Sequence, residues 1–223
     1  MIKAHPTHAM LRAFAADELP LPLAVGVSAH CELCADCGAG LRACEAELAA
    51  LHLVAAPIVT PMAADAIAPE WDAMLADILQ QPAAHAMPVA SPLPELQVAG
   101  RGYRLPRVLA RYHGASWRHL GGIRQHSLPL TEQGARASLL HIEAGGRIPE
   151  HTHQGYELTL LLAGNMQDGE THYQAGDFIW HDASHAHSPH TPDGCLCYTV
   201  LDAPIRFTKG LPRLLNGISH RLY

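Results

Sequence analysis

Apolar residues recur at intervals of three and four through the first part of the chain, and give way to short, punctuated runs further on. In residues 8–19 (HAMLRAFAADEL), Met10, Leu11 and Phe14 fall at helical spacing against an Ala- and Leu-rich background, which predicts a helix broken by Pro20 and Pro22. A second helix is expected over Leu23–His30. A third is expected over Ala39–Leu53, where Leu41, Cys44, Leu48 and Leu51 keep the spacing. A fourth begins after Pro69, with Trp71, Met74, Leu75, Ile78 and Leu79 on one face and Asp72 and Asp77 off it. These stripes are expected to pack together as core, with part of one left open for a partner.

From Gln81 to Gly100 the chain turns to Pro and Ala without helical periodicity, which predicts an extended linker, because proline fixes φ and removes a backbone donor. Beyond it lie runs bounded by Gly, Pro, Asn and Asp: Ala137–Glu143, Tyr156–Ala163, Asp177–His181 and Cys195–Leu201. Gly164-Asn165, Asp168-Gly169 and Asp193-Gly194 supply residues tolerant of positive φ, as turns between antiparallel strands require. The reading is an α module over 1–80, a linker over 81–100 and an all-β module over 101–223, with no internal repeat.

The 223 residues are 48% apolar, enough to fill such cores. The apolar stretch Leu19–Ala29 is too short to span a bilayer and is interrupted by prolines, and the N-terminus lacks the apolar core and cleavage site of a signal peptide, so a cytoplasmic protein without membrane contact is expected. The six cysteines cluster in two places instead of spreading as a disulfide framework, which suits metal ligation or redox chemistry in a reducing compartment. Residues 1–80 hold three Lys/Arg against ten Asp/Glu, whereas the remainder holds twelve against eleven. The acidic front repels nucleic acid and suits the basic surface of a DNA-binding protein.

His30, Cys34 and Cys37 form an H-x3-C-x2-C run. Zinc favours thiolate and imidazole ligands, and a C-x2-C turn brings two sulfurs to about 2.3 Å from one ion. His30 lies one helical turn before Cys34, and the fourth ligand must come from the N-terminal segment, where His5 and His8 are candidates. Cys31 competes with His30. The rival reading treats the cysteines as small buried hydrophobes.

The stretch His5-x24-His30-x3-Cys34-x2-Cys37 resembles the zinc-binding anti-sigma domain, a small helical bundle that holds a transcription sigma factor inactive. In soluble ChrR-type members the equivalents of His5, His30, Cys34 and Cys37 supply four zinc ligands, so the resemblance favours His5 over His8. It also implies helices that clamp between the two domains of the sigma factor.

A second constellation is His151-x-His153-x3-Glu157 followed by His187. Two histidines two apart project from one face of a strand, and Glu157 joins them after a bend. Three imidazoles and a carboxylate accept Zn, Mn, Fe or Ni. The run Gly146-x4-His151-x-His153-x3-Glu157-x6-Gly164 resembles the first cupin motif, and Gly176-Asp177 through His187 resembles the second without its usual proline-glycine turn. Cupins are jelly-roll β-barrels with the metal inside, and the resemblance favours zinc here and His187 over His185. His172, His181 and His190 are expected to be surface or core polar residues.

Cys195 and Cys197 share one strand face and align with a paired cysteine in ChrR-type barrels. They are candidate redox residues, against a reading as inert core. The resemblance runs from His5 to the segment Leu211-Pro-Arg-Leu-Leu. It implies a non-enzymatic cytoplasmic repressor that sequesters a sigma factor of the extracytoplasmic-function class and releases it on an oxidative signal sensed by the barrel. The alternative is a metal-dependent cupin enzyme, a dioxygenase or isomerase, with accessory helices.

Overall fold

The computed structural model describes residues 1–53, 69–81, 93–112, 114, 116–210, 213 and 216. They form two compact units, one of Met1–Leu48 with Leu93–Tyr223 and the other of Ala49–Pro92. Most of the expected linker, residues 82–92, lies outside the described residues, as do residues 211 and 212 of the C-terminal segment.

The helices follow the periodicity. α1 spans His8–Ala15, α2 Leu21–Leu33, α3 Ala35–His52 and α4 Pro69–Gln80. Thr7 caps α1 by accepting the Met10 N–H at 3.2 Å. Pro22, in the first turn of α2, starts that helix instead of merely breaking the one before, because the orphan N–H positions of a first turn tolerate proline. On α4, Trp71, Met74, Leu75, Ile78 and Leu79 are exposed, so this stripe does not form the core that helical spacing suggests.

The strands are β1 (Leu96–Val98), β2 (Arg101–Tyr103), β3 (Arg118–Leu120), β4 (Ile123–Glu132), β5 (Ala135–Ile142), β6 (His151–His153), β7 (Glu157–Asp168), β8 (Thr171–Gln174), β9 (Phe178–His181), β10 (Cys195–Leu201) and β11 (Ile205–Phe207), with a short helix α5 at Arg107–Ala110. One sheet runs β3-β4-β5-β10-β7-β8 with β9 also on β7, and β6 pairs with β11. All of these pairs are antiparallel.

Gly164 and Asn165 make no turn. They lie inside β7, where Gly164 at φ +81° pairs with Cys195 of β10, two residues from the register shift at Leu162. A β-carbon at Gly164 would sit 2.0 Å from the Gly194 carbonyl oxygen, so the glycine permits the close approach of two backbones. Gly169 lies in a turn at φ +57°, and Gly194, at φ +89°, follows a bend at residues 192–193.

Nearly all of β10 is buried on both faces. Cys195 and Cys197 turn toward Ile142, Leu161, Met166 and Ile179. Leu196, Tyr198 and Val200 turn the other way and pack with Leu139, Leu158 and Leu160 against Leu23, Val25, Val27 and Ala29 of α2. That helix is apolar around most of its circumference, and the sheet covers what the other helices do not. Gly26 allows the approach, since a β-carbon there would stand 2.6 Å from Leu158 Cδ2. The Tyr198 hydroxyl donates to the Pro22 carbonyl at 2.7 Å, satisfying a phenol with no solvent access.

Candidate metal centres

α2 delivers a fully buried His30 in its last turn. The backbone opens to extended values at Cys34 (φ −116°, ψ 107°) while the Cys34 N–H still reaches the His30 carbonyl at 2.8 Å. Because α3 restarts at Ala35, Cys37 in its first turn comes back toward Cys34. His5 approaches from the N-terminal segment with Nδ1 at 3.6 Å from Cys34 Sγ and 3.4 Å from Cys37 Sγ. The ligand atoms of His5, His30, Cys34 and Cys37 all lie within 4.8 Å of one another.

The donor set fits a metal. His30 Nδ1 donates to the Gly176 carbonyl at 2.8 Å, which directs the lone pair of Nε2 toward the other three residues. Nε2 is buried and has no hydrogen-bond partner among the described residues, a cost of roughly 1–3 kcal/mol that a cation removes. Burial holds His30 below the ordinary histidine range, so it is neutral, as a ligand must be. Burial, followed by the Cys34 hydrogen bond and nearby negative charge, pushes the Cys37 thiol up to about 12; a bound cation would reverse that by replacing the proton. His8 lies elsewhere, with Nε2 at 3.8 Å from Cys44 Sγ. Cys31 is partly exposed and outside the group, its thiol raised to about 11 chiefly by burial.

In the barrel, β6 places His151 and His153 on one buried face with Thr152 opposite. A bend over residues 154–155 leads to Glu157 at the start of β7. His187 lies not on a regular strand but in an isolated bridge to His151, closed by two N–H to O bonds of 3.0 Å. His187 Nε2 is 3.0 Å from His151 Nε2 and 3.0 Å from His153 Nε2, and Glu157 Oε2 lies 3.5 Å from His187 and 3.3 Å from His153. His151 Nδ1 donates to the Pro149 carbonyl at 2.9 Å and His187 Nδ1 to Asp168 Oδ2 at 3.0 Å. Both rings therefore turn a lone pair inward, and nitrogens facing each other this closely fit a cation between them.

Burial, opposed by Glu157, brings His187 down to about 4. Burial alone would raise Glu157, but the His181 hydrogen bond and the charges of His153, His187 and His151 hold it at about 2. At neutral pH His187 is thus uncharged and Glu157 charged.

Asp168 was legible only as a turn residue, and its contact with His187 had no sequence signal. His181 is closer to the chemistry than expected. Its ring centroid is 4.3 Å from that of His187, and its nitrogens lie 3.9 Å from Glu157 and 4.0 Å from Asp168. His185 is exposed and pairs with Asp182 at 3.1 Å, and His172 is exposed. The backbone of His190 bridges to Arg147 and Gln167.

A cavity of about 20 Å³ adjoins the barrel centre, bordered by His151, Glu157, His181, His187, Met166 and Cys197 among others, room for about one water molecule. Cys197 Sγ donates to Cys195 Sγ at 3.8 Å, and both residues are buried. That hydrogen bond lowers the Cys195 thiol and raises that of Cys197, so the proton stays on Cys197. A larger space of about 330 Å³, bordered by Arg118, Gln125, Arg136 and Ser138, contains none of the ligand residues.

Residues 106–204 match the ChrR cupin-like domain family. Over 227 residues, 96% of this chain and 97% of the relative, the sequence is 34% identical to the anti-sigma-E factor ChrR of Cereibacter sphaeroides. The fold is similar, with a TM-score of 0.66 and 30% identity, to a chain in the crystal structure of Rhodobacter sphaeroides SigE in complex with the anti-sigma ChrR, covering 90% of this chain and 100% of that one.

Proposed function

The chain belongs to the ChrR family of anti-sigma factors, and from that premise we propose that it binds a sigma factor of the extracytoplasmic-function class, keeps it from transcription, and releases it on an oxidative signal received by the barrel. The observation that carries this reading is the colinear kinship over 96% of the chain, which spans both ligand sets. The reading is supported by a surface that suits a partner: α4 exposes Trp71, Met74, Leu75, Ile78 and Leu79 along one apolar face. Such a face on an acidic module suits an occupant that is apolar at the contact and basic around it.

Zinc suits the thiolate and imidazole set of His5, His30, Cys34 and Cys37. For His151, His153, Glu157 and His187 zinc is again the choice, with Mn, Fe or Ni compatible with the same donors. When bound, the first metal would brace the junction of α2 and α3, and the second would supply a Lewis-acidic position inside the barrel. The water-sized cavity beside the second centre supports a sensor over an enzyme, since an organic substrate would need several hundred Å³ and this space is about 20 Å³. Cys197 borders the same space, which puts a thiol beside the centre. No helix among the described residues is long and apolar enough to cross a membrane, in keeping with a cytoplasmic regulator.

The test is direct. The zinc-loaded full chain is mixed with the extracytoplasmic-function sigma factors of its own organism, and complexes are resolved by size-exclusion chromatography alongside promoter-specific transcription. One of them is expected to co-elute and lose activity. Absence of any complex or inhibition would refute the proposal.

A further inference from the structure

The metal centre on the helices is not built by the helices alone. Residues 176–178, at the turn from β8 into β9 of the barrel, hold His30 directly and hold the backbone just before His5. The Gly176 carbonyl accepts from His30 Nδ1 at 2.8 Å. Asp177, with no solvent exposure, accepts the Lys3 N–H at 2.6 Å and the Ala4 N–H at 2.9 Å on one carboxylate oxygen, and the Gln174 N–H at 2.8 Å on the other. The Phe178 N–H donates to the Ala4 carbonyl at 2.9 Å. Residues 2–4, immediately before His5, are thereby laid along the barrel as a strap. Ile2 seals it, because its Cδ1 stands 2.5 Å from where a β-carbon on Gly176 would be, and Gly176 at φ +97° leaves that space open.

Resting on the reading of His5, His30, Cys34 and Cys37 as metal ligands, we propose that Asp177 is the positioning residue of that centre, so that a carboxylate of the barrel governs how firmly the helices hold their metal. His5 is exposed; its ring meets Cys34, Cys37 and the His30 ring, and its backbone is carried by the strap. Its direction comes from the strap, and the strap's direction comes from Asp177. A charged acceptor with two backbone N–H groups on one oxygen is a strong and directional anchor. The same turn is fixed to β7, since the Gly176 N–H donates to the Leu161 carbonyl at 2.8 Å and the Leu161 N–H to the Asp177 carbonyl at 3.0 Å. β7 begins at Glu157, a residue of the barrel centre. One strand therefore carries a candidate ligand of the second centre and holds the turn that anchors the first, and a disturbance of the barrel has a short route to the helices.

The experiment uses the full-length protein loaded with zinc. Transfer of zinc to a chromogenic chelator is timed, and alkylation of Cys34 and Cys37 by iodoacetamide is followed by mass spectrometry. Wild type is expected to hold two equivalents with both thiols protected. Asp177→Ala is expected to release one equivalent about tenfold faster, the scale on which residues supporting a ligand act, with matching alkylation, while the other equivalent leaves at the wild-type rate. Ile2→Ala, which leaves every barrel residue in place, is expected to act in the same direction by a smaller factor, and it decides the matter should Asp177→Ala fail to fold. A wild-type release rate in the deciding variant overturns the proposal, as does equal acceleration of both equivalents, the mark of a general loosening. Wild-type protein whose Cys34 and Cys37 stay unprotected in zinc overturns the metal reading itself, and this proposal with it.

Discussion

At the scale of single residues, the barrel centre shows how a neighbour outside the candidate ligand set fixes where a candidate ligand carries its proton. His187 accepts no metal through Nε2 unless its proton sits on Nδ1, and Asp168 at 3.0 Å keeps it there. Asp168→Asn is expected to weaken metal binding at His151, His153, Glu157 and His187 by about 10- to 100-fold with little change in far-UV circular dichroism, measured by competition against a chelator of known affinity. The depressed pKa of His187 also gives the metal-free protein a pH dependence. Its value is about 4 in the folded chain against 6.5 for an ordinary histidine, so the unfolded chain binds more protons between those values. Its contribution is complete above pH 6.5 and is lost as pH falls toward 4, while Glu157, at about 2, stays charged throughout. Thermal melting of the metal-free protein should therefore move down by several degrees between pH 7.5 and pH 4.5, His187 accounting for at most about 3 kcal/mol and His30, His141 and His153, also lowered by burial, adding in the same direction. A flat profile would mean that His187 titrates like a solvent-exposed histidine.

At the scale of elements, α2 and α4 make opposite use of apolar surface. α2 is buried along Leu23, Val25, Val27 and Ala29, and Gly26 sets its distance from β7 and β10. Gly26→Val would drive a branched side chain into Leu158 and Tyr198 and is expected to cost about 1–3 kcal/mol, measured by urea unfolding. α4 keeps its apolar face outward. Trp71→Ala with Ile78→Asp should leave the melting temperature within about 1–2 °C of wild type, as exposed substitutions do, yet lower affinity for the sigma factor by at least about tenfold if this face is the docking surface. Equal affinity in the double variant would move the docking surface elsewhere. The helices were legible because a 3.6-residue period is local information. Which apolar stripe meets the barrel was not, since α2 and α4 both read as core candidates and only packing separates them. Gly164 is the parallel case among the strands: a glycine that tolerates positive φ serves a turn or a close approach of two strands equally well, and the pairing with β10 beside Gly194 selects the second.

At the scale of the whole molecule, the formal net charge of −6 is concentrated in residues 1–80. Encounter with a basic partner is then steered by charge, so raising salt from 0.1 to 0.5 M should slow association by about tenfold while changing dissociation little, read by stopped-flow fluorescence. Salt-independent association would mean that apolar contact alone brings the partners together. Residues 1–48 and 93–223 share one compact unit, with α2 covered by the sheet and the strap of residues 2–4 laid on the turn at 176–178. A fragment of helices alone would expose the apolar face of α2, which is why the full chain is the object to test.

The sequence by itself determined the local core of each candidate ligand set, His30 with Cys34 and Cys37 and His151 with His153, and the kinds of element that carry them. H-x3-C-x2-C at a helix end and H-x-H on a strand bring side chains together over a few residues, where backbone geometry leaves little choice. Resemblance, not spacing, singled out His5 from His8. Only the tertiary structure decided that His30 is turned by a carbonyl 146 residues away, that Asp177 holds the strap before His5, and that Asp168 and His181 gather beside the barrel centre. Contacts at such separation are set by how sheet and helices bury one another, and no local period in the chain records them.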